Sequence, residues 1–139
     1  VQPNKERIQL WVEALESGEY AQTTGSLRET ETQVGGKWRP QQDVPGSDGP
    51  VREAYCCLGV AAEVALSHGF DPNEMDWDIP CLSPGLQEWY GFDAPDPLIH
   101  PDALEPLTAV RANDQKGWNF TKIAVAIRET YLLDEDVAE

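Results

Sequence analysis

The amino-acid sequence predicts an α+β, helix-rich fold: a single domain with four to five helices around a buried central helix, and a small antiparallel sheet beside them. Three observations predict it. Apolar residues recur with the 3.6-residue period of an amphipathic helix near both ends of the chain, at Ile8, Trp11, Val12 and Leu15 and again at Phe120, Ile123, Ile127 and Tyr131. The run Tyr55–Leu66 has Glu63 as its only charged residue and is apolar almost all round, the pattern of a helix buried on every side. Between the first helix and that run lies Gly35-Gly36, flanked by short segments that read as the arms of a hairpin. The 139 residues suit one globular domain over 1–133, with an acidic tail at 134–139 that is expected to fray.

Taken in order, the first helix spans Asn4 to Glu19, with Asn4 as its cap and Gly18 marking its end. Tyr20–Leu27 reads as an extended segment or edge strand. Residues 28–50 hold the hairpin, with arms Thr30–Val34 and Lys37–Arg39, followed from Pro40 to Pro50 by an exposed, mobile loop rich in turn residues. Val51–Cys57 is a strand and Cys57–Ser67 is the buried helix. Glu63 marks its one wet stripe, and Gly59, Ala61, Ala62 and Ala65 admit a close neighbour. His68-Gly69 supplies its stop. Asp71–Pro80 is an acidic loop around Trp77. Ser83 caps, and Pro84 opens, a short helix to Tyr90 that ends at Gly91. Asp93–Pro106 is Pro-rich and irregular, Leu107–Ala112 is a short helix, and Asn119 caps a last helix running to Leu132.

Charge narrows the function. The net charge is −15, unevenly divided: 6 basic and 10 acidic residues in 1–70 (net −4), against 4 and 15 in 71–139 (net −11). Polyanions are repelled, so direct binding of nucleic acid or of an anionic membrane is not expected. No uncharged apolar run reaches the roughly 20 residues of a membrane helix. The polar opening Val1–Arg7 lacks an apolar signal-peptide core. Three cysteines, two of them adjacent, point to a reducing cytoplasm rather than a disulfide framework.

Several spaced blocks resemble a group of small, uncharacterised proteins of tailed bacteriophages and related bacterial elements. The most specific is Tyr55-Cys56-Cys57-Leu58-Gly59-Val60. The others are Trp11–Tyr20, Leu82–Gly91, Leu107–Asp114 and Phe120–Ala124. The resemblance implies a phage origin and a cytoplasmic setting, and it brings no activity with it. Segments 28–50 and 93–106 are longer here than is usual in the group, which marks them as places for a lineage-specific role.

The constellations that carry chemistry are few. Cys57, His68, Cys81 and His100 could be assembled into a zinc set, but adjacent cysteines rarely serve one tetrahedral ion and the Cys-x-x-Cys spacing is absent. Buried, apolar-like thiols are the expected reading. A thiol nucleophile needs a base, and His68 lies at the far end of the same helix, about 16 Å from Cys57 at 1.5 Å per residue. Asp71, Asn73, Asp76 and Asp78 suggest a cation site, yet Met75 and Asp76 stand where a calcium loop needs an oxygen ligand and a glycine. The turn Asn113–Gly117 between two helices has the outline of a helix-turn-helix. Its second helix carries only Lys122 and Arg128 against surrounding acids, so a packing hairpin of helices is expected instead.

The resulting expectation is a non-enzymatic, acidic phage accessory protein without catalytic residues or cofactor. It would bind a host or phage protein with a basic surface, in the cytoplasm of the infected bacterial host. A DNA-mimic-type inhibitor is the sharper form. The expected interaction surface comprises Asp76, Trp77, Asp78, Asp93, Asp96, Asp102 and Glu105, with Trp38, Trp77, Trp89 and Trp118 as aromatic anchors. One alternative is a small hydrolase or small-ligand-binding protein with its pocket beside the central helix. Another is a virion decoration protein.

Overall fold

A computed structural model of the chain describes residues 3–75, 77, 79, 81–100 and 107–132. Helix α1 (Lys5–Glu16) begins where the Asn4 side chain accepts the Arg7 amide, and it buries Ile8, Trp11, Val12 and Leu15, the stripe its period predicts. The chain then lays down a four-stranded sheet in the order β1-β4-β2-β3, from β1 (Ala21–Gln22), β2 (Arg28–Val34), β3 (Lys37–Pro40) and β4 (Val51–Tyr55). Strands β2 and β3 meet at Gly35-Gly36, whose φ values of 60° and 81° are both left-handed; a two-residue hairpin turn of this hand favours glycine. The segment from Pro40 to Pro50 is largely exposed, as expected, and is tied down at its end where the Gln33 amide donates to the Pro50 carbonyl at 3.0 Å.

The expected antiparallel sheet is in fact mixed. Strand β4 runs antiparallel to β2, pairing Thr30 with Glu53, but parallel to β1, pairing Ala21 with Ala54. Strand composition signals extension and not direction. Direction here follows from the path of the chain, which leaves β1, traverses the hairpin and loop, and returns beside β1 in the same sense.

Helix α2 (Cys57–Ser67) is the centre of the molecule. Eight of its eleven residues are buried, so it can contribute to the core on nearly every side. Helices α1, α3 (Pro84–Tyr90) and α4 (Ala109–Asp114) pack on it, and α5 (Phe120–Ile127) packs on α1 and α4. Trp11 is fully buried and donates its indole N–H to the Cys57 carbonyl at 2.9 Å. Its ring lies 5.9 Å from both Tyr90 and Phe92. Tyr90, also buried, donates its hydroxyl to the Ala61 carbonyl at 2.6 Å. Thus α1 and α3 are fastened to α2 by polar atoms at the ends of large apolar side chains.

Three further differences have a common cause. Strand β5 (Leu98–His100) forms inside the segment expected to be irregular, and it pairs antiparallel with β6 (Leu107–Thr108), which precedes α4 instead of opening it. Thr108 caps α4 by accepting the Arg111 amide. The last helix does not run on evenly to Leu132: after Ile127 it widens into a π turn over Arg128–Leu132. Strands of two or three residues and single wide turns have no period to read; tertiary packing of β5 on α5 selects them.

Thr32 of β2 is fully buried, and among the described residues its hydroxyl has no hydrogen-bond partner. Thr32→Val keeps the shape and removes the orphan group. The variant is expected to unfold at higher urea, by about 1 kcal/mol of stability.

Candidate functional site

The Tyr55–Val60 motif is a joint between β4 and α2. Cys56 is the N-cap of α2, and its amide donates to the Leu27 carbonyl at 3.3 Å. The Cys57 amide, at the first helical position, donates to Asn113 Oδ1 at 3.2 Å, and its thiol donates to the Ala109 carbonyl at 3.4 Å. Both cysteines are buried. Burial pushes the Cys56 thiol up to about 11 and the Cys57 thiol well above its ordinary value. A thiol so held stays protonated at neutral pH and is a poor nucleophile.

Sites weighed from the sequence resolve in part. Helix α2 is unbroken, so Cys57 and His68 stand at its opposite ends; His68 is exposed, and its Nδ1 lies 2.9 Å from the Val64 carbonyl. Cys81 is half-buried against the core, and the imidazole of His100 lies outside the described part. Among the described residues no three His, Cys, Asp or Glu side chains are grouped to hold a metal ion. Asp71 accepts the Asn73 amide at 2.9 Å and caps the short turn Pro72–Glu74, while Asp76 and Asp78 lie outside the described residues.

Of the expected interaction surface, Trp77 is the best placed. It is half-buried, with the Arg28 guanidinium 4.1 Å over its ring and Tyr55 edge-on at 6.3 Å. Arg28 stands between two carboxylates, 3.8 Å from Glu53 and 3.9 Å from Glu63. Thr30 donates its hydroxyl to Glu53, 3.1 Å from each oxygen, and Tyr55 donates to Glu63 at 3.0 Å. Together with Gln41 and Gln42, the residues Arg28, Thr30, Glu53 and Trp77 line a polar cleft of about 540 Å³ on the sheet. Sequence reading missed this cleft. Arg28 and Thr30 alternate along β2 as Glu53 and Tyr55 do along β4, but only the register shows that the two pairs face one another.

The same pattern recurs at the other half-buried indoles. Arg52 lies over Trp38 at 4.3 Å, Arg7 over Trp89 at 4.1 Å and Lys122 over Trp118 at 4.5 Å. Arg52 also pairs with Glu31 at 2.9 Å, Arg7 donates to the Trp89 carbonyl at 2.8 Å, and Arg128 pairs with Glu16 at 2.8 Å. Both cations of the helix-turn-helix outline, Lys122 and Arg128, are therefore held within the chain. Asp93 is exposed; Asp96 is half-buried and accepts the Val110 amide at 2.9 Å; Asp102 and Glu105 lie outside the described residues.

Tyrosine ionisation reports on this surface. Burial, then the bond to Glu63, pushes the Tyr55 hydroxyl from 10.0 up to about 12; burial, then the Asp93 charge, takes Tyr131 to about 12. Burial also holds Tyr90 well above 10.0. The unfolded chain loses these protons first, so the stability they contribute is whole below about pH 10 and is lost as pH rises to about 12. The urea midpoint is expected to fall across that window. Tyr55→Phe should make the fall shallower, and tyrosinate absorbance of the native chain should rise at higher pH than that of the urea-unfolded chain.

No protein-family model, curated protein or solved structure matches the chain.

Proposed function

We propose that the protein is an acidic, non-enzymatic phage accessory factor that binds a host or phage protein with a basic surface in the infected bacterium. One observation carries this reading: the chain folds its own cations against its own rings and carboxylates. Arg7, Arg28, Arg52, Lys122 and Arg128 are held this way, five of the ten basic residues, while Glu6, Glu13, Glu19, Asp43, Asp48, Asp71 and Asp93 stand exposed. The net charge of −15 makes the field that reaches a partner negative, the held cations are not free to meet it, and the indoles give it apolar footholds. The phage setting rests on the Tyr55–Val60 resemblance. A DNA-mimic-type inhibitor is the sharpest form of the reading, because a surface of this sign competes for a nucleic-acid groove.

The test is capture from infected-cell lysate with the wild-type chain and with a bait in which Asp93, Asp71 and Glu53 are changed to their amides. A basic protein should be retained by the wild type at about 0.1 M salt and released at about 1 M, where the screening length falls from about 10 Å to about 3 Å. Equal retention by both baits, or retention indifferent to salt, contradicts the reading. The polar cleft at Trp77 favours a second reading, a small polar ligand held in the cleft lined by Arg28, Thr30, Gln41, Gln42 and Trp77. Native mass spectrometry of the purified chain should then show a bound molecule that Trp77→Ala loses.

A further inference from the structure

A second, smaller pocket of about 150 Å³ lies where the segment after α3 meets the π turn, lined by Pro3, Phe92, Asp93, Asp96, Leu98 and Tyr131 among others. Its walls are largely apolar and two aromatic. The Phe92 and Tyr131 rings are 5.3 Å apart and tilted by 58°, which makes a corner rather than a flat slot. That corner is built firmly: Tyr131 donates its hydroxyl to the Leu98 carbonyl at 2.7 Å, and its neighbour Thr130 donates to Ile99 at 2.8 Å. Asp96 is fixed by accepting the Val110 amide, and Asp93 stands exposed at the rim. Leu98, 41% exposed, extends the apolar wall outward.

We infer that this pocket takes the alkylammonium end of a lysine side chain presented by the basic partner. The inference rests on the partner reading above and names what that partner inserts. Size decides against a drug-sized ligand, since pockets for those run from about 300 Å³ upward. Shape and chemistry favour lysine: an apolar wall suits its four-carbon stem, and a compact ammonium suits a tilted ring corner with carboxylates beside it, whereas a planar guanidinium lies flat on a single ring face, as Arg7, Arg28 and Arg52 do on their indoles, and this corner offers no flat slot. The charge of Asp93 reaches the ring of Tyr131, where it helps to raise the hydroxyl.

The experiment is an amide-shift titration of the full chain with Nα-acetyl-lysine methylamide, run beside its Nε-acetylated form and the arginine counterpart. The lysine probe is expected to bind in the millimolar range and to move the amides of Ala94, Leu98 and Tyr131. The Nε-acetylated form should leave them unmoved. Asp93→Asn should weaken binding up to about fivefold, and Asp93→Lys should abolish it; neither variant removes a hydrogen bond made among the described residues. Equal shifts with the acetylated or arginine probe, or no shifts at these amides, overturn the inference. Capture of a basic protein with an inert pocket removes the pocket alone; lysine binding without capture removes the partner reading alone.

Discussion

Gly59→Ala is expected to destabilise the chain by about 3 kcal/mol or more, even though alanine is the better helix former by about 1 kcal/mol. A Cβ built on Gly59 overlaps the Leu27 carbonyl oxygen and comes 2.7 Å from its carbon and 3.2 Å from the Tyr55 Cβ. The oxygen cannot withdraw freely, because it accepts the Cys56 amide at the start of α2. Helix and strand must separate, and the β4–α2 joint opens. Against a total stability of about 5–15 kcal/mol for a domain of ordinary stability, that is a large loss. The check is a urea titration, and its sign is decisive. A variant as stable as the wild type, or more stable, would mean that α2 does not lie against the β2 entrance as described.

The second large effect is expected at Asn113, which is 1% exposed and uses its amide on both sides. Its Oδ1 accepts from the Gln22 side chain at 2.8 Å and from the Cys57 amide; its Nδ2 donates to the Thr23 carbonyl at 2.8 Å and to Asp114 at 2.7 Å. A backbone N–H on one side and a backbone C=O on the other fix which way the amide points. Asn113→Leu keeps the size and orphans these groups together, at about 1–3 kcal/mol for each buried one, so a loss of about 3–5 kcal/mol is expected. Asn113→Asp should be a pH-dependent version of the same damage. Its carboxylate faces the Thr23 carbonyl and Asp114 without a proton to donate, and regains one on protonation. The deficit relative to wild type should therefore shrink as pH falls through the carboxylate range, read from urea midpoints of the two proteins at matched pH. A deficit independent of pH would count against the network.

These two residues also show what could be read from the sequence. The bounds of α2 and α3 follow from local signals: the apolar run from Cys57, the stop at His68-Gly69, and the Ser83-Pro84 start with Gly91 at the end. Gly59 was legible as a close-approach residue, although not the carbonyl it approaches. Asn113 read as a turn residue, and nothing near it in sequence announces that it joins β1, α2 and α4. The site divides in the same way. Trp77 and Asp93 were legible as surface candidates from composition alone. The Arg28–Glu53–Glu63 cluster and the Phe92–Tyr131 corner join segments far apart in the chain, and only the sheet register and the packing of the last helix bring them together.

The account holds that the paired cysteines are structural filling at a joint and that the chain works through its exterior. Alkylation of the native protein, mapped by mass spectrometry, tests this most directly. Half-buried Cys81 should be labelled first, with Cys56 and Cys57 unlabelled until the chain is unfolded in urea. Labelling of either adjacent thiol in the native state as readily as Cys81 would contradict it.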